Sequence, residues 1–274
     1  MEIKAFKMDG LGNDFVIIDQ RSENYDLNND QIIKICDRKF IGCDQLIYIK
    51  KSNNADAELE FYNSDGSKSG ACGNGTRCVA YLISKESNKK EILMSTTSGN
   101  LNSKVLENKE VETKIGKPKL NWDQIPLSKN INTKNLNLKL YDNDNKEFHG
   151  GIAVNVGNPH VIFFLENIDN FDLKKIGPEI ENYDLFPERC NVTLAKKINN
   201  NLIKVKVWER GAGLTKACGT AACATAVASN LENLSNSKTE IEFDLGKLLI
   251  SIDGNQNIHM KGPVSEIKEI TIDL

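Results

Sequence analysis

Two cysteines in glycine-rich turns are the residues of this sequence best placed to do chemistry. Cys72 lies in Gly-Ala-Cys-Gly-Asn-Gly-Thr-Arg-Cys at 70–78, and Cys218 lies in Ala-Cys-Gly-Thr-Ala at 217–221. Apolar residues recur at helical spacing after Cys72, so we expect a helix to begin there with unpaired amides at its N-terminus. Such a helix end stabilises a thiolate and also binds carboxylates or phosphates. For Cys72 taken alone, the alternative is a buried cysteine at an ordinary helix start.

The surroundings of the two cysteines repeat along the chain. In each half, three polar or reactive residues are separated by 18 and then by 9 positions. They are Gln45, Asn63 and Cys72 in the first half, and Asn191, Glu209 and Cys218 in the second. Asn158 follows Asn13 by 145 positions, and each of the two asparagines lies in a strand, Gly-Asn turn, strand pattern. These residues recur in the same order at nearly constant sequence separation, which predicts two copies of one α/β unit.

Alternation and helical spacing predict the elements that position these residues. In the first half we expect strands over 2–6, 14–19, 45–50 and 57–62, with further short strands near 91–95 and 110–115. A helix is expected over 29–41, with Ile32, Ile33, Ile35 and Cys36 facing inward. In the second half we expect strands around the Gly-Asn turn at 157–158 and over 204–208.

The segment 121–145 is polar and irregular, and we interpret it as an inter-domain connection with one strand over 136–141. The helix after Cys218 is rich in alanine and apolar nearly all round, which predicts a central helix wrapped by strands. A surface helix with an unusually small face is the alternative. We expect the helix after Cys72 to be central in its own half.

A thiol at a matching helix start in each half suits one kind of reaction. If the two helices point at one another, a ligand between them meets a thiol on each side. Removal of a proton from one face of a stereocentre and delivery to the other then inverts it. Two helix N-termini stabilise the charge that develops on a neighbouring carboxylate. A charge shared between close thiols favours the state in which one is ionised and the other protonated.

Other interpretations of the cysteines fit less well. A zinc site favours a Cys-x2-Cys spacing, whereas Cys72 and Cys78 are six positions apart and Cys218 and Cys223 are five apart. A redox dithiol is expected to show Cys-x-x-Cys, which this sequence lacks. The remaining cysteines are interpreted as structural or incidental: Cys36, Cys43, Cys78, Cys190 and Cys223.

Composition narrows the class of partner. The chain has 274 residues, 39% of them hydrophobic, which is enough for one large or two ordinary domains. Lys and Arg number 35 against 38 Asp and Glu, and the charges are interspersed. We therefore expect a small-molecule partner and neither nucleic acid nor membrane. The first residues lack a signal-peptide pattern, and an odd count of seven cysteines argues against a disulfide framework, so we expect a cytoplasmic protein with reduced thiols.

Six motifs together resemble the diaminopimelate epimerase family. They are Gly-Asn-Asp-Phe at 12–15, Asn-Ser-Asp-Gly at 63–66, Cys-Gly-Asn-Gly-Thr-Arg-Cys at 72–78, Gly-Asn-Pro-His at 157–160, Asn-Val at 191–192, and Glu-Arg-Gly-Ala-Gly at 209–213 leading to Ala-Cys-Gly-Thr. The resemblance spans nearly the whole chain, and the related proline racemases have different residues around their two cysteines. It implies conversion of LL-diaminopimelate to the meso form for lysine and peptidoglycan synthesis, without pyridoxal phosphate or metal.

The resemblance also implies a role for each site residue. Cys72 and Cys218 become the acid and the base. The helix-start residues expected to hold the reacting α-carboxylate are Gly73, Asn74, Gly219 and Thr220. The residues expected to bind the distal amino-acid end are Asn13, Gln45, Asn63, Asn158, Asn191, Glu209 and Arg210. His160 and Glu209 resemble the pair that tunes the thiols, whereas Leu214 and Ala221 depart from the common family pattern.

We therefore predict an α/β (α+β) protein of two pseudo-symmetric domains, each a mixed, curled sheet around a central helix, with the active site in the inter-domain cleft. The predicted domains are 1–117 plus 264–274 and 118–263, with a last strand over 267–274 that completes the first domain. The resemblance suggests a homodimer. Two alternatives stay open: a related cofactor-independent racemase for another substrate, and a non-catalytic or redox dithiol protein.

Overall fold

The computed structural model describes residues 2–70 and 72–274, which form two compact units. Unit 1 contains the described residues up to Lys114 together with Lys261–Leu274. Unit 2 is the continuous segment Ile115–Met260. In this described part of the chain, no helix is both long and apolar enough to span a membrane.

Unit 1 is built on a mixed sheet with two helices. Its strands are β1 (Glu2–Gly10), β2 (Asn13–Asp19), β3 (Gln45–Lys50), β4 (Ala57–Asn63), β5 (Lys68–Ser69), β6 (Glu91–Thr96), β7 (Gly99–Val105) and β8 (Glu110–Gly116), and its helices are α1 (Asn29–Cys36) and α2 (Gly73–Ser87). The pairs β2–β3 and β4–β6 are parallel, and the other neighbours are antiparallel.

Unit 2 repeats this plan. Its strands are β9 (Leu138–Tyr141), β10 (Glu147–Gly150), β11 (Ile152–Asn155), β12 (Pro159–Phe164), β13 (Asn191–Asn199), β14 (Leu202–Glu209), β15 (Gly213–Thr215), β16 (Lys238–Phe243), β17 (Gly246–Ile252) and β18 (Ile258–Pro263), and its helices are α3 (Leu173–Glu181) and α4 (Gly219–Leu231). Here β12–β13 and β14–β16 are the parallel pairs, at the same places in the order as in unit 1. The strand pairs β9–β10 and β11–β12 are antiparallel.

The registers of corresponding strands in the two units confirm the internal repeat. In β3 and β4, Leu46 is opposite Tyr62, and in β13 and β14, Val192 is opposite Trp208. The short strands that follow have matching registers as well: Phe61 is opposite Ser69, and Val207 is opposite Thr215. Each of these four pairs of positions differs by the 146 residues seen in the sequence. Because one register step would turn every side chain to the other face, equal registers give both units the same inward-facing positions.

Helices α2 and α4 are the central elements of their units, as predicted. In α2 every residue over 74–83 is buried, and in α4 residues over 221–229 are all buried. Helix α2 packs on strands β1, β2, β6 and β7, and α4 packs on β11, β12, β13, β16 and β17. A surface position for α4, the alternative from the sequence, is therefore wrong.

Helix α1 is shorter than predicted. It ends at Cys36 instead of position 41, because Asp37 takes an extended conformation as the C-cap. Ile32, Ile35 and Cys36 follow the i, i+3, i+4 spacing and are buried. Ile33 points to a different face and is 41% exposed, so the prediction that it faces inward is wrong.

The segment over 121–145 lies inside unit 2, so it is not the inter-domain connection that its polar composition indicated. Five of its apolar residues are buried in the core of unit 2: Ile125, Leu127, Leu136, Leu138 and Leu140. The strand predicted over 136–141 is β9. It pairs with β10, a strand that the sequence analysis did not predict. The apolar side chains are few but regularly placed, so a segment rich in Asn, Lys and Asp still contributes a core layer.

The last strand of the chain returns to the first. Strand β19 (Lys268–Asp273) pairs antiparallel with β1, with Glu2 opposite Asp273 and Lys7 opposite Lys268. Ile3 and Ile272 lie opposite one another and share one hydrophobic core. Unit 1 is therefore completed by the C-terminal end of the sequence.

Candidate active site

Cys72 is the N-cap residue of α2. Its backbone is extended, with φ −138° and ψ 113°, and the amide of Gly75 donates to its Sγ at 3.5 Å. Its thiol donates to Oδ1 of Asn13 across 3.8 Å. An N–H donor favours the thiolate and an acceptor oxygen favours the thiol. Cys72, which is partly exposed, thus has a partner for each protonation state.

Asn13 links the turn between β1 and β2 to the start of α2. Its Nδ2 donates to Oδ2 of Asp44 at 2.9 Å, and its Oδ1 accepts from Nδ2 of Asn74 at 3.2 Å. Asn74 is buried within the first turn of α2. One amide therefore contacts two segments that are distant from it in the chain, one at Asp44 and one at the start of α2.

Gln45 and Asn63 lie directly opposite one another at the ends of β3 and β4. Nε2 of Gln45 donates to Oδ1 of Asn63 at 2.9 Å, and Nδ2 of Asn63 donates to Ser67 at 3.1 Å. Oε1 of Gln45 is buried and accepts no hydrogen bond from the described residues. A buried acceptor without a donor is costly, which makes it suited to a donor brought by a ligand.

Cys218 takes the same position in unit 2. It is the N-cap residue of α4, with φ −138° and ψ 116°, and the amide of Ala221 donates to its Sγ at 3.4 Å. The hydroxyl of Thr220 also lies 3.4 Å from Sγ. Unlike Cys72, Cys218 is buried.

Burial controls the protonation of Cys218. It raises the pKa of this thiol well above its ordinary value, and the charge of the Glu209 carboxylate raises it further. The Thr220 hydroxyl and the Ala221 amide act in the opposite direction, because both stabilise the thiolate. At neutral pH Cys218 therefore holds its proton.

His160 is a buried, neutral histidine. Burial lowers its pKa to about 3, and the positive charge of Arg210 acts in the same direction. Its Nε2 contacts Oδ1 of Asn158 at 2.8 Å, so in the neutral ring this nitrogen carries the proton. Nδ1 is buried with no partner among the described residues. The ring therefore orients Asn158 and does not titrate near neutral pH.

Asn191 uses its side chain to hold the loop after β14. Its Oδ1 accepts from the backbone amide of Arg210 at 3.0 Å, and its Nδ2 donates to the carbonyl of Pro159 at 2.9 Å. The guanidinium of Arg210 donates to the carbonyl of Glu188 at 2.7 Å. Asn191 thus fixes the backbone from which Glu209 and Arg210 project.

Glu181 supports the same loop and was missed by the sequence analysis. Its carboxylate is buried and accepts from Nε1 of Trp208 at 2.7 Å, the amide of Gly211 at 2.9 Å and the guanidinium of Arg189 at 3.2 Å. Asp44 was missed as well, although it directly precedes Gln45. Neither lies in a motif, so a lone acidic residue at the end of a helix or before a strand was the sole signal available.

The predicted site residues are thus grouped within each unit. Unit 1 contains Asn13, Gln45, Asn63, Cys72, Gly73 and Asn74, with contacts from Asn13 to Cys72 and Asn74 and from Gln45 to Asn63. Unit 2 contains Asn158, His160, Asn191, Glu209, Arg210, Cys218, Gly219 and Thr220. Leu214 is 48% exposed on β15, and Ala221 contributes its amide to Cys218. Within residues 2–70 and 72–274, no three His, Cys, Asp or Glu side chains are arranged to hold a metal ion.

Comparison with known sequences identifies relatives over the full chain. The sequence profile of the family described as diaminopimelate epimerase matches residues 5–121 and 152–267. The diaminopimelate epimerase of Pelagibacter ubique is 70% identical over 274 residues, covering 100% of both chains. That of Caulobacter vibrioides is 41% identical and covers 94% of this chain and 93% of its own.

Solved structures share the two-domain fold at low sequence identity. A phenazine biosynthesis protein of the PhzF family from Bacillus anthracis superposes with a TM-score of 0.69 at 16% identity, covering 100% of both chains. A hydroxyproline epimerase from Agrobacterium vitis, with bound trans-4-hydroxy-L-proline, gives a TM-score of 0.69 at 10% identity, covering 100% of this chain and 93% of its own.

Proposed function

The chain belongs to the diaminopimelate epimerase family and is an isomerase, and we propose that it interconverts LL- and meso-2,6-diaminopimelate by inverting one α-carbon. The observation that carries the proposed chemistry is the matching pair of N-cap cysteines. Each thiol lies at the start of a central helix with the same backbone angles and the same amide donor. No other pair of side chains in the predicted site offers two groups that exchange protons in equivalent settings.

Cys72 and Cys218 are the base and the acid of this reaction. In one direction the Cys72 thiolate takes the proton from the α-carbon, and the Cys218 thiol gives its proton to the opposite face. In the other direction the two exchange roles, so each turnover moves one proton off the substrate and one onto it. The raised pKa of Cys218 supports its role as the proton donor when Cys72 acts as the base.

The helix starts stabilise the intermediate charge. Loss of the α-proton places negative charge on the α-carboxylate, and preorganised N–H donors lower the energy of such an anion. The first amides of any helix have no acceptor inside it. In our proposal, those of Gly73 and Asn74 in α2 and those of Gly219 and Thr220 in α4 bind this carboxylate.

The polar residues at the strand ends recognise the distal, unreacting end of the substrate. An Arg binds a carboxylate through two donors, whereas Glu and amide oxygens accept from an ammonium group. The residues proposed for this role are Asn13, Gln45, Asn63, Asn158, Asn191, Glu209 and Arg210. His160 and Glu209 tune the thiols, His160 by holding Asn158 and Glu209 by its charge near Cys218.

The proposed setting is the synthesis of lysine and peptidoglycan precursors in the cytoplasm, by a homodimer that uses neither pyridoxal phosphate nor a metal. The two halves of the enzyme are proposed as 1–117 plus 264–274, which contains Cys72, and 118–263, which contains Cys218. The thiols provide both proton transfers, so the chemistry as written requires no further group.

The test is incubation with LL-diaminopimelate in heavy water. We expect deuterium to enter at one α-carbon while the meso form accumulates, and both changes to disappear in the Cys72→Ala, Cys218→Ala double variant. Exchange that survives in the double variant would contradict the two-thiol mechanism. Arg210→Lys and Asn63→Ala should reduce turnover of diaminopimelate strongly, and unchanged turnover would indicate an epimerase for another substrate.

A further inference from the structure

We propose that Asp44 is a positioning residue that fixes the Asn13 amide so that its oxygen, and not its nitrogen, faces the Cys72 thiol. Asn13 contacts Asp44 through Nδ2 at 2.9 Å and Cys72 through Oδ1 at 3.8 Å. The inference rests on the proposed function in one respect, which is that Cys72 is a reacting thiol.

Asp44 decides the orientation because an ionised carboxylate only accepts hydrogen bonds. If the Asn13 amide turned over, its Oδ1 would face a carboxylate oxygen and lose the bond. Asn74 alone does not prevent this rotation of the Asn13 amide, although Nδ2 of Asn74 donates to Oδ1 of Asn13 at 3.2 Å. Its own Oδ1 is buried and accepts no hydrogen bond from the described residues, so a turned Asn74 could accept from a turned Asn13.

Asp44 is itself held by several contacts. Arg38 donates to Oδ1 of Asp44 at 2.5 Å and to Oδ2 of Asp14 at 2.7 Å, and Lys7 lies 3.6 Å from the same Asp14 oxygen. The amide of Asp14 donates to Oδ2 of Asp44 at 3.1 Å. Oδ2 of Asp44 thus receives two donors from the first residues of β2, which ties the carboxylate to the start of that strand.

The orientation of this amide affects the proton on Cys72. With Oδ1 facing Sγ, the thiol has an acceptor waiting when Cys72 takes a proton from substrate. With Nδ2 facing Sγ, an N–H would stabilise the thiolate and weaken Cys72 as a base. The charged and titratable groups near this pair are Asp44, Asp14, Arg38 and Lys7 beside the start of β2, and the buried Arg77 and Cys78 on α2.

The test measures alkylation of Cys72 by iodoacetamide as a function of pH, with mass spectrometry of the Cys72 peptide. Asp44→Asn keeps the shape of the side chain but lets the Asn13 amide turn over. We expect the midpoint pH of alkylation to fall by about one unit, so that Cys72 reacts about 10-fold faster below the midpoint. In an Asn13→Ala background, Asp44→Asn should not shift the midpoint pH of alkylation, because the amide that transmits the effect to Cys72 is absent.

This double-mutant cycle separates orientation from charge. A charge effect of Asp44 on Cys72 would persist without Asn13, and equal shifts in both backgrounds would overturn the inference. So would an unchanged midpoint in Asp44→Asn. If Asp44→Asn does not fold, Asp44→Ser is measured in the same cycle. Absence of exchange with LL-diaminopimelate in the unmodified protein would overturn the proposed function instead, because alkylation needs no substrate.

Discussion

The Thr220 hydroxyl lies 3.4 Å from Sγ of Cys218, on the first turn of the helix that this cysteine caps. It lowers the pKa of the thiol, whereas burial and the Glu209 carboxylate raise it. Thr220 and Glu209 therefore shift the pKa of Cys218 in opposite directions. This opposition allows their contributions to be measured separately.

We predict that Thr220→Val raises the pKa of Cys218 and that Glu209→Gln lowers it. The valine removes a group that stabilises the thiolate, and the glutamine removes a nearby negative charge. The pH dependence of iodoacetamide alkylation at Cys218 reports both changes. Thr225→Val, a buried substitution on the same helix, should leave the dependence unchanged. Shifts of equal sign in the Thr220 and Glu209 variants would contradict the assignment.

Removal of either thiol should stop epimerisation. Because positioned acid–base groups contribute roughly 10²–10⁴-fold to rates, we expect Cys72→Ala and Cys218→Ala each to lower kcat by about that factor. Polarimetry or chiral chromatography of diaminopimelate measures the loss. Cys223→Ala, which changes a cysteine on α4 outside the proposed site, serves as the control. If one of the two variants kept its full rate, a single-base mechanism would be indicated.

His160 should make the protein sensitive to acid. Its pKa in the folded protein is about 3 against an ordinary 6.5, so between these values the unfolded chain binds a proton that the folded chain does not. The His160 contribution to stability is therefore complete above 6.5 and is lost as pH falls toward 3. Between pH 7 and pH 5, we expect the free energy of unfolding of the wild type to fall by about 2 kcal/mol more than that of His160→Asn. Urea unfolding at the two pH values measures this difference. The exposed His149→Gln should follow the wild type.

The carboxylate of Glu181 should stabilise unit 2. Glu181→Gln leaves either Trp208, or both Gly211 and Arg189, facing an NH2 group, and unmatched buried donors cost about 1–3 kcal/mol. Urea unfolding measures the loss. Glu179→Gln on the same helix is exposed and should change little. Equal stability of the two variants would show that the buried contacts contribute nothing.

Gly177 is required by the position of Trp208. A Cβ at Gly177 would lie 2.4 Å from Cγ and Cδ2 of the Trp208 ring, which Glu181 holds in place by its indole N–H. We expect Gly177→Ala to lower the free energy of unfolding by about 1–3 kcal/mol, since the crowded ring cannot move away without breaking that bond. A Cβ at Gly254 meets nothing within 4 Å, so Gly254→Ala is the matched control.

The repeat and both N-cap cysteines could be predicted from the sequence, because spacing of polar residues and glycine-rich turns are local signals. The core position of the segment over 121–145 could not be predicted, since the alternation of Leu136, Leu138 and Leu140 indicates a strand but not the surface on which that strand packs. The prediction that Ile33 faces inward was wrong, because adjacent isoleucines in a helix point in different directions and composition does not show which one faces solvent. The roles of Asp44 and Glu181 depend on contacts with Asn13 and Gly211, which are about 30 positions away, so no local pattern marks them.

The pairing of β1 with β19 determines the order in which the chain can be completed during translation. Ile115–Met260 is continuous, so the strands of unit 2, through β18, are all synthesised before β19 leaves the ribosome. Unit 1 is synthesised first, but its first strand has only one of its two partners, β2, until β19 emerges. A chain that stops short of β19 therefore leaves an open edge beside the strand that leads to Asn13, while the unit that contains Cys218 is already whole.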